Sequence, residues 1–132
     1  HPLQREQFAA FRAGTDAKIF YHTCGDVYSV IEDLIDMGVD ILNPVQLTAG
    51  EMHDDVRLKR EFGDRMTFWG GVDTMQVMPA GSPDDVRLEV DRRVEVLGEG
   101  GGYVLCPVHN VQPDESVENL LALYDRGRSV PG

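Results

Sequence analysis

Gly38-Val39-Asp40-Ile41-Leu42-Asn43 decides the fold. The glycine is placed to end a helix whose apolar face is Val27, Val30, Ile31, Leu34 and Ile35, since a helix stops most readily on a residue free to take positive φ. The run after it is short and largely apolar, and it stops on the amide of Asn43. The same order of helix stop, strand and polar residue recurs along the chain. Strands are predicted over Ala17 to Tyr21, Val39 to Asn43, Met66 to Trp69 and Tyr103 to Cys106. Helices are predicted from about Leu3 to Ala13, along the Val27 to Ile35 face, from Asp54 to Phe62 before Gly63, and from about Ser116 to Tyr124. Another opens on Ser82-Pro83-Asp84-Asp85, an N-cap with proline at the first helical position, and continues through Val86, Val90, Val94 and Leu97 until Gly98 to Gly102 stop it. The alternation predicts an α/β fold with a parallel sheet, right-handed crossovers and covering helices.

In such sheets the working residues collect at the carboxyl ends of the strands. The special residues here do so: His22 and Cys24, then Asn43 and Gln46, then Gly70, Gly71 and Asp73, then Cys106 and His109. His22 and Cys24 are two apart, so an extended backbone points both to one side. With Cys106, the only other cysteine, they supply one imidazole and two thiolates, the ligand set of a zinc site that keeps its fourth position open. Taken alone, Cys106 in Tyr-Val-Leu-Cys-Pro reads more often as a small buried core residue than as a ligand, and it is His22, Cys24 and the sequence blocks given below that favour the ligand reading. If sequential strands are neighbours it lies three strands from His22, roughly 14 Å at ~4.8 Å per step. Only a curved sheet brings it within zinc's ~2.3 Å bonding distance. Asp26, Asn43 and Asp73 are the polar groups placed to orient the His22 ring. His109, three residues after Cys106, suits a substrate contact or proton donor, or a solvated loop position. Trp69 suits a barrel-interior core or a stack on a planar ligand, and His53 the start of a surface helix.

Composition bounds the rest. A chain of 132 residues, 42% hydrophobic and 27% charged, fits one soluble globular unit with a moderate core. Twelve basic against twenty-three acidic residues give a formal charge of −11, which repels phosphate backbones and anionic lipid. Neither nucleic acid nor a membrane is expected as a partner. There is no GxGxxG and no P-loop, and Gly100-Gly101-Gly102 precede a strand rather than a helix, so they read as a tight turn. The opening His1-Pro2-Leu3-Gln4-Arg5-Glu6 lacks an initiator methionine and the features of a signal peptide, and it reads as a cut boundary. With only two cysteines, a reducing, cytoplasmic setting and free thiols are expected.

Five blocks carry a resemblance: His22-Thr23-Cys24-Gly25-Asp26, Gly38 to Gln46, Phe68-Trp69-Gly70-Gly71-Val72-Asp73, Gly100-Gly101-Gly102-Tyr103-Val104, and His109-Asn110-Val111-Gln112-Pro113-Asp114 with Glu118-Asn119. In register they resemble the C-terminal half of the uroporphyrinogen decarboxylase-like superfamily, most closely its zinc- and corrinoid-linked methyltransferase branch. The resemblance implies a (β/α)8 barrel, of which residues 1–132 form the last four βα units, the first half being absent. It also implies that His22, Cys24 and Cys106 bind zinc, that the metal activates a thiol acceptor, and that the methyl group arrives on a corrinoid, methylcobalamin-like, carried by a separate corrinoid protein. A neutral thiol is a poor nucleophile, and zinc would deprotonate it without holding the sulfur too tightly, because two thiolates leave the metal formally neutral.

The expected function is therefore a zinc-dependent methyltransferase, with His109 and Asp73 catalytic and Asn43, Gln46 and His109 contacting substrate. Two alternatives stand beside it. The true decarboxylases lack the metal triad and rely on arginine and aspartate residues of the N-terminal half, and a decarboxylase of that kind would act without metal. A half barrel could also be an assembly module with a structural zinc. A half barrel leaves two sheet edges unpaired and an inner apolar face wet, with Ile19, Tyr21, Ile41, Phe68 and Val104 expected there. A homo-oligomer is expected to cover that face, most simply a two-fold dimer.

Overall fold

Asp40 sets where the sheet begins. Its carboxylate accepts the Ile19 N–H at 2.7 Å, Lys18 Nζ at 3.1 Å and the Arg12 guanidinium, and the Asp40 and Ile41 N–H groups donate to the Ile19 oxygen at 3.0 and 3.1 Å, so side chain and backbone together join the segments entering the first two strands. The computed structural model describes residues 2–130, so His1, Pro131 and Gly132 of the expected domain lie outside the described residues. Pairing starts at Phe20 opposite Ile41, later than the runs expected from Ala17 and Val39. The strands are β1 (Phe20–His22), β2 (Ile41–Asn43), β3 (Thr67–Val72) and β4 (Tyr103–Pro107), all parallel and adjacent in chain order. This is the α/β arrangement the alternation implies.

β3 runs past Trp69 because β4 gives it partners as far as Val72 opposite Pro107. Its two glycines are a packing requirement rather than a stop. A Cβ on Gly70, at φ +132°, would lie 1.8 Å from the Pro44 carbonyl oxygen, and Gly71 donates its N–H to that same oxygen at 3.1 Å.

The helices are α1 (Pro2–Gly14), α2 (Ile31–Asp36), α3 (Asp55–Phe62), α4 (Val77–Ala80), α5 (Pro83–Leu97) and α6 (Val117–Ser129). α5 starts as its sequence predicts: Ser82 Oγ accepts the Asp85 N–H and Asp85 accepts the Ser82 N–H, a reciprocal capping box. α6 continues beyond Tyr124. The helix passes close over β4, where a Cβ on Gly127 would meet Leu105 at 2.6 Å, and Arg126 pairs with Asp91 of α5 at 2.6 Å. The short α4 and the 3-10 turns at Tyr28–Val30 and Gly50–His53 leave no periodic signal. His53 closes the second of these turns, its Nδ1 2.8 Å from the Gly50 oxygen.

Two apolar clusters lie between sheet and helices. Ile31, Leu34, Leu42, Leu58 and Phe68 lead one, and Val72, Met78, Val86, Val90 and Leu123 lead the other. The ladder puts Tyr21, Leu42, Phe68 and Tyr103 on the helix side, leaving Phe20, Ile41, Trp69 and Val104 on the opposite face. The expected open-face set is corrected at Ile19, Tyr21 and Phe68: Phe68 is fully buried beneath the helices, and Ile19 and Tyr21 pack against its cluster. Strand parity decides this, since a one-residue shift moves every side chain to the other face. The residue on the open face of β1 is Phe20, 46% exposed, whose ring meets Trp69 edge-on at 5.3 Å.

Candidate metal and substrate site

The site begins where β1 ends. The Thr23 N–H donates to the Asn43 oxygen at 2.8 Å, and the Gly25 N–H donates to Gln46 Oε1 at 2.9 Å, so the loop carrying Cys24 is tied to the loop after β2. His22 is paired with Asn43 across the two strands, and its Nδ1 lies 2.5 Å from Asn43 Oδ1. The other end of that amide, Nδ2, donates to the Trp69 carbonyl at 3.0 Å. This second bond fixes which amide atom faces the ring. With oxygen toward His22, the proton sits on Nδ1, and Nε2 keeps its lone pair. That nitrogen lies 3.4 Å from Cys24 Sγ.

The pair fits zinc. Bonds of ~2.0–2.1 Å to nitrogen and ~2.3 Å to sulfur at a tetrahedral angle span roughly 3.5 Å between donors, close to the separation present. A ligand histidine whose other nitrogen is held by a hydrogen-bond acceptor is the usual arrangement around such an ion. Cys106 stands opposite Gly71 on β4, half-buried, its Sγ 3.2 Å from the Pro107 oxygen. Burial pushes its thiol pKa up, and a hydrogen bond from the Trp69 side chain works against that. Cys106 and His22 line one cleft of about 450 Å³, together with Asn43, His109 and Tyr124. Cys24 lines an adjoining cleft of about 230 Å³ with Gln46, Thr74, Met75 and Gln112, and His109 and Val108 belong to both. Among the described residues no three His, Cys, Asp or Glu side chains form a ready-made metal group. Two donors touch, and the third faces the cleft the histidine shares. A larger cleft of about 1280 Å³ opens between α3, the Gly98 to Gly101 turn and α6, and it contains none of these donors.

The remaining expected residues fall in different places. His109 is exposed on the loop after β4, with Nδ1 3.3 Å from the Asn110 oxygen. Asp73 accepts the Met75 N–H at 2.7 Å, which makes the turn after β3, and it lines neither small cleft. Asp26 accepts the Tyr28 and Glu51 N–H groups at 3.2 and 3.0 Å and so joins the β1 loop to the Gly50–His53 turn. Of the three groups considered for orienting His22, Asn43 is the one in contact with the ring. Sequence reasoning passed over Thr74, Met75, Gln112 and Tyr124, which line the clefts from loops and from α6, where no periodicity marks them.

Residues 1–130 match the family described as Uroporphyrinogen decarboxylase (URO-D). Among curated proteins the chain is similar to a methylcobamide:CoM methyltransferase, MtaA, of Methanosarcina barkeri, 27% identical over 113 residues, 86% of this chain and 31% of that protein. It is also similar to a methionine synthase of Methanothermobacter thermautotrophicus, 28% identical over 92 residues, 70% of this chain and 29% of the other. Among solved structures a methyltransferase from Methanosarcina mazei superposes with a TM-score of 0.70 at 25% identity, over 94% of this chain and 34% of that one. The chain spans about a third of the length of the curated relatives it matches.

Proposed function

The chain belongs to the uroporphyrinogen decarboxylase (URO-D) family, and we propose that within it this is the C-terminal half of a methyltransferase barrel, moving a methyl group from a methyl-corrinoid to a thiol at a zinc site. The observation that carries the reading is the His22 ring, pinned by Asn43 with its free nitrogen 3.4 Å from the Cys24 sulfur, at the carboxyl end of the strands. The methyltransferase names of relatives matched over most of this chain support it.

In this reading His22, Cys24 and Cys106 hold the ion. Bound there, zinc supplies the charge that keeps an acceptor thiol ionised, and a corrinoid on a separate protein supplies the methyl group. The chain's own residues do the positioning. Asn43 sets the tautomer and aim of His22, and Gln46 holds the Cys24 loop through the Gly25 N–H. His109, on the wall common to both clefts, contacts the acceptor and exchanges its proton. Asp73 acts through the turn that presents Met75. The free edges of β1 and β4 and the open face with Phe20 and Trp69 are where the remaining barrel strands pair, and a second copy under two-fold symmetry serves that purpose for the 132-residue chain alone. Two unbridged thiols suit a reducing compartment such as the cytoplasm. No helix among the described residues is long and apolar enough to cross a membrane.

The test is zinc content by elemental mass spectrometry together with loss of methyl from methylcobalamin in the presence of a thiol, followed by corrinoid absorbance. The expected result is one zinc per chain, with metal and methyl transfer both lost in Cys24→Ala and Cys106→Ala. Metal-free protein from zinc-replete cells would overturn the reading. So would methyl transfer, or decarboxylation of a porphyrinogen-like acid, that is indifferent to Cys24→Ser.

A further inference from the structure

Trp69 reaches both ends of the proposed ligand set. It stands opposite Val104 on β4, and Cys106, two residues further on, shares that face of the sheet. The residue opposite Cys106 is Gly71, which has no side chain, so the β3 side chain beside the sulfur is the indole. Its N–H donates to Cys106. The thiol gives its own hydrogen to the Pro107 oxygen at 3.2 Å, which leaves the sulfur lone pairs free to accept. The indole ring is set by Phe20, edge-on at 5.3 Å. On the other side the Trp69 carbonyl takes the Asn43 amide hydrogen at 3.0 Å, and that bond aims His22. A side chain does this because the next backbone position on β2 is Pro44, which has no N–H to offer. All these contacts run between neighbouring strands of the chain itself, so further barrel strands pairing at the edges of β1 and β4 leave them in place.

A zinc site that holds two protein thiolates beside an acceptor thiol offers an incoming methyl group more than one sulfur, and a methylated ligand would disable the centre. A thiolate that accepts a hydrogen bond holds its charge more tightly, so it stays bound to the metal and becomes a poorer nucleophile. The two cysteines differ in this respect. The indole gives Cys106 a hydrogen, whereas the His22 nitrogen beside Cys24 carries none in the tautomer that Asn43 selects.

We infer that Trp69 is a positioning residue of this site, whose indole N–H blunts the Cys106 sulfur so that Cys106 remains a ligand and the acceptor thiol takes the methyl group. The inference rests on the zinc and thiol-acceptor reading above and adds how one of the protein's own thiolates is kept out of the reaction.

Two measurements test it. Trp69 is the only tryptophan of the chain, so isotope-labelled protein shows a single indole N–H signal by NMR. In the metal-free chain, exchange of that hydrogen with solvent is expected to be about five-fold faster in Cys106→Ala, the worth of one hydrogen bond, and unchanged in Cys24→Ala. Exchange as fast in the unaltered chain as in Cys106→Ala overturns the inference. In the second measurement the zinc-loaded protein is treated with methyl iodide, which passes its methyl group to a thiolate sulfur as the carbon–iodine bond breaks and iodide leaves, and the methylated cysteines are quantified by mass spectrometry. Trp69→Phe keeps a ring against Phe20 and removes the N–H, and the ratio of methylation at Cys106 to that at Cys24 is expected to rise about ten-fold. Val104→Ala, which opens the same face and leaves the indole in place, is expected to leave the ratio as it was. A ratio unchanged in Trp69→Phe, or raised equally in Val104→Ala, overturns the inference. Protein that takes up no zinc counts against the metal reading instead, and the indole exchange then decides the bond between Trp69 and Cys106 by itself.

Discussion

The ring of His22 and the side-chain amide of Asn43 are locked together at 2.5 Å across β1 and β2, and the Trp69 carbonyl on the next strand dictates the direction of that bond by taking the amide hydrogen. Three strands thus cooperate to leave one imidazole nitrogen free, facing a thiol.

Asn43→Leu removes both bonds at nearly constant volume. Zinc affinity, measured by competition with a chromogenic chelator, is expected to fall about 10–100-fold, the usual cost of losing a group that orients a metal-bound histidine. Asn43→Asp, which keeps an acceptor toward Nδ1, is expected to retain more of it. Unchanged affinity in Asn43→Leu would mean that the ring needs no such partner.

Gly70 admits no side chain. A Cβ there would stand 1.8 Å from the Pro44 oxygen, a backbone carbonyl just after β2 that also accepts the Gly71 N–H at 3.1 Å. Gly70→Ala is expected to destabilise the fold by more than about 3 kcal/mol in urea unfolding, since neither strand can yield without breaking pairs. Gly14→Ala, where nothing lies within 4 Å, is the neutral control.

Asp40 ties stability to acid. Burial would raise its pKa, yet the Ile19 N–H, Lys18 and Arg12 together bring it below the ordinary carboxylate value of 3.8. A group lowered in this way adds stability that is fully present above 3.8 and is lost as the pH falls through its folded pKa. Asp40→Asn is expected to lose about 1–2 kcal/mol at neutral pH and to show a shallower fall in stability below that value. Parallel acid slopes in the two proteins would assign the acid sensitivity elsewhere.

The open face predicts association. Light scattering on the 132-residue chain is expected to give twice the monomer mass, and Phe20→Glu, which puts a charge on that face, is expected to give monomer. A stable monomer of the unaltered chain at micromolar concentration would contradict the dimer.

Much of this arrangement is legible in the chain because its signals are local. Gly38 stops a helix, Ser82-Pro83-Asp84-Asp85 starts one, and polar residues mark the strand ends, so four βα units in order follow from short windows. What the windows could not carry is parity and partnership. Phe20 and Tyr21 are both aromatic, and only the pairing of Phe20 with Ile41 tells which faces the helices. The two glycines of β3 look like a stop until Pro44 is seen against Gly70. At the site, Asn43 and Asp73 looked alike as orienting groups. The strand ladder puts the first beside His22, while the second is spent on its own turn, a competition between local and long-range hydrogen bonds that spacing does not settle.

His22, Cys24 and Cys106 are proposed to hold one zinc with a position open to a thiol. X-ray absorption at the zinc edge tests it most directly. The expected result is two sulfur donors and one imidazole with a fourth light-atom ligand, which a third sulfur replaces when the thiol is added. A closed four-ligand shell that ignores the thiol, or a first shell lacking both cysteine sulfurs, would contradict it.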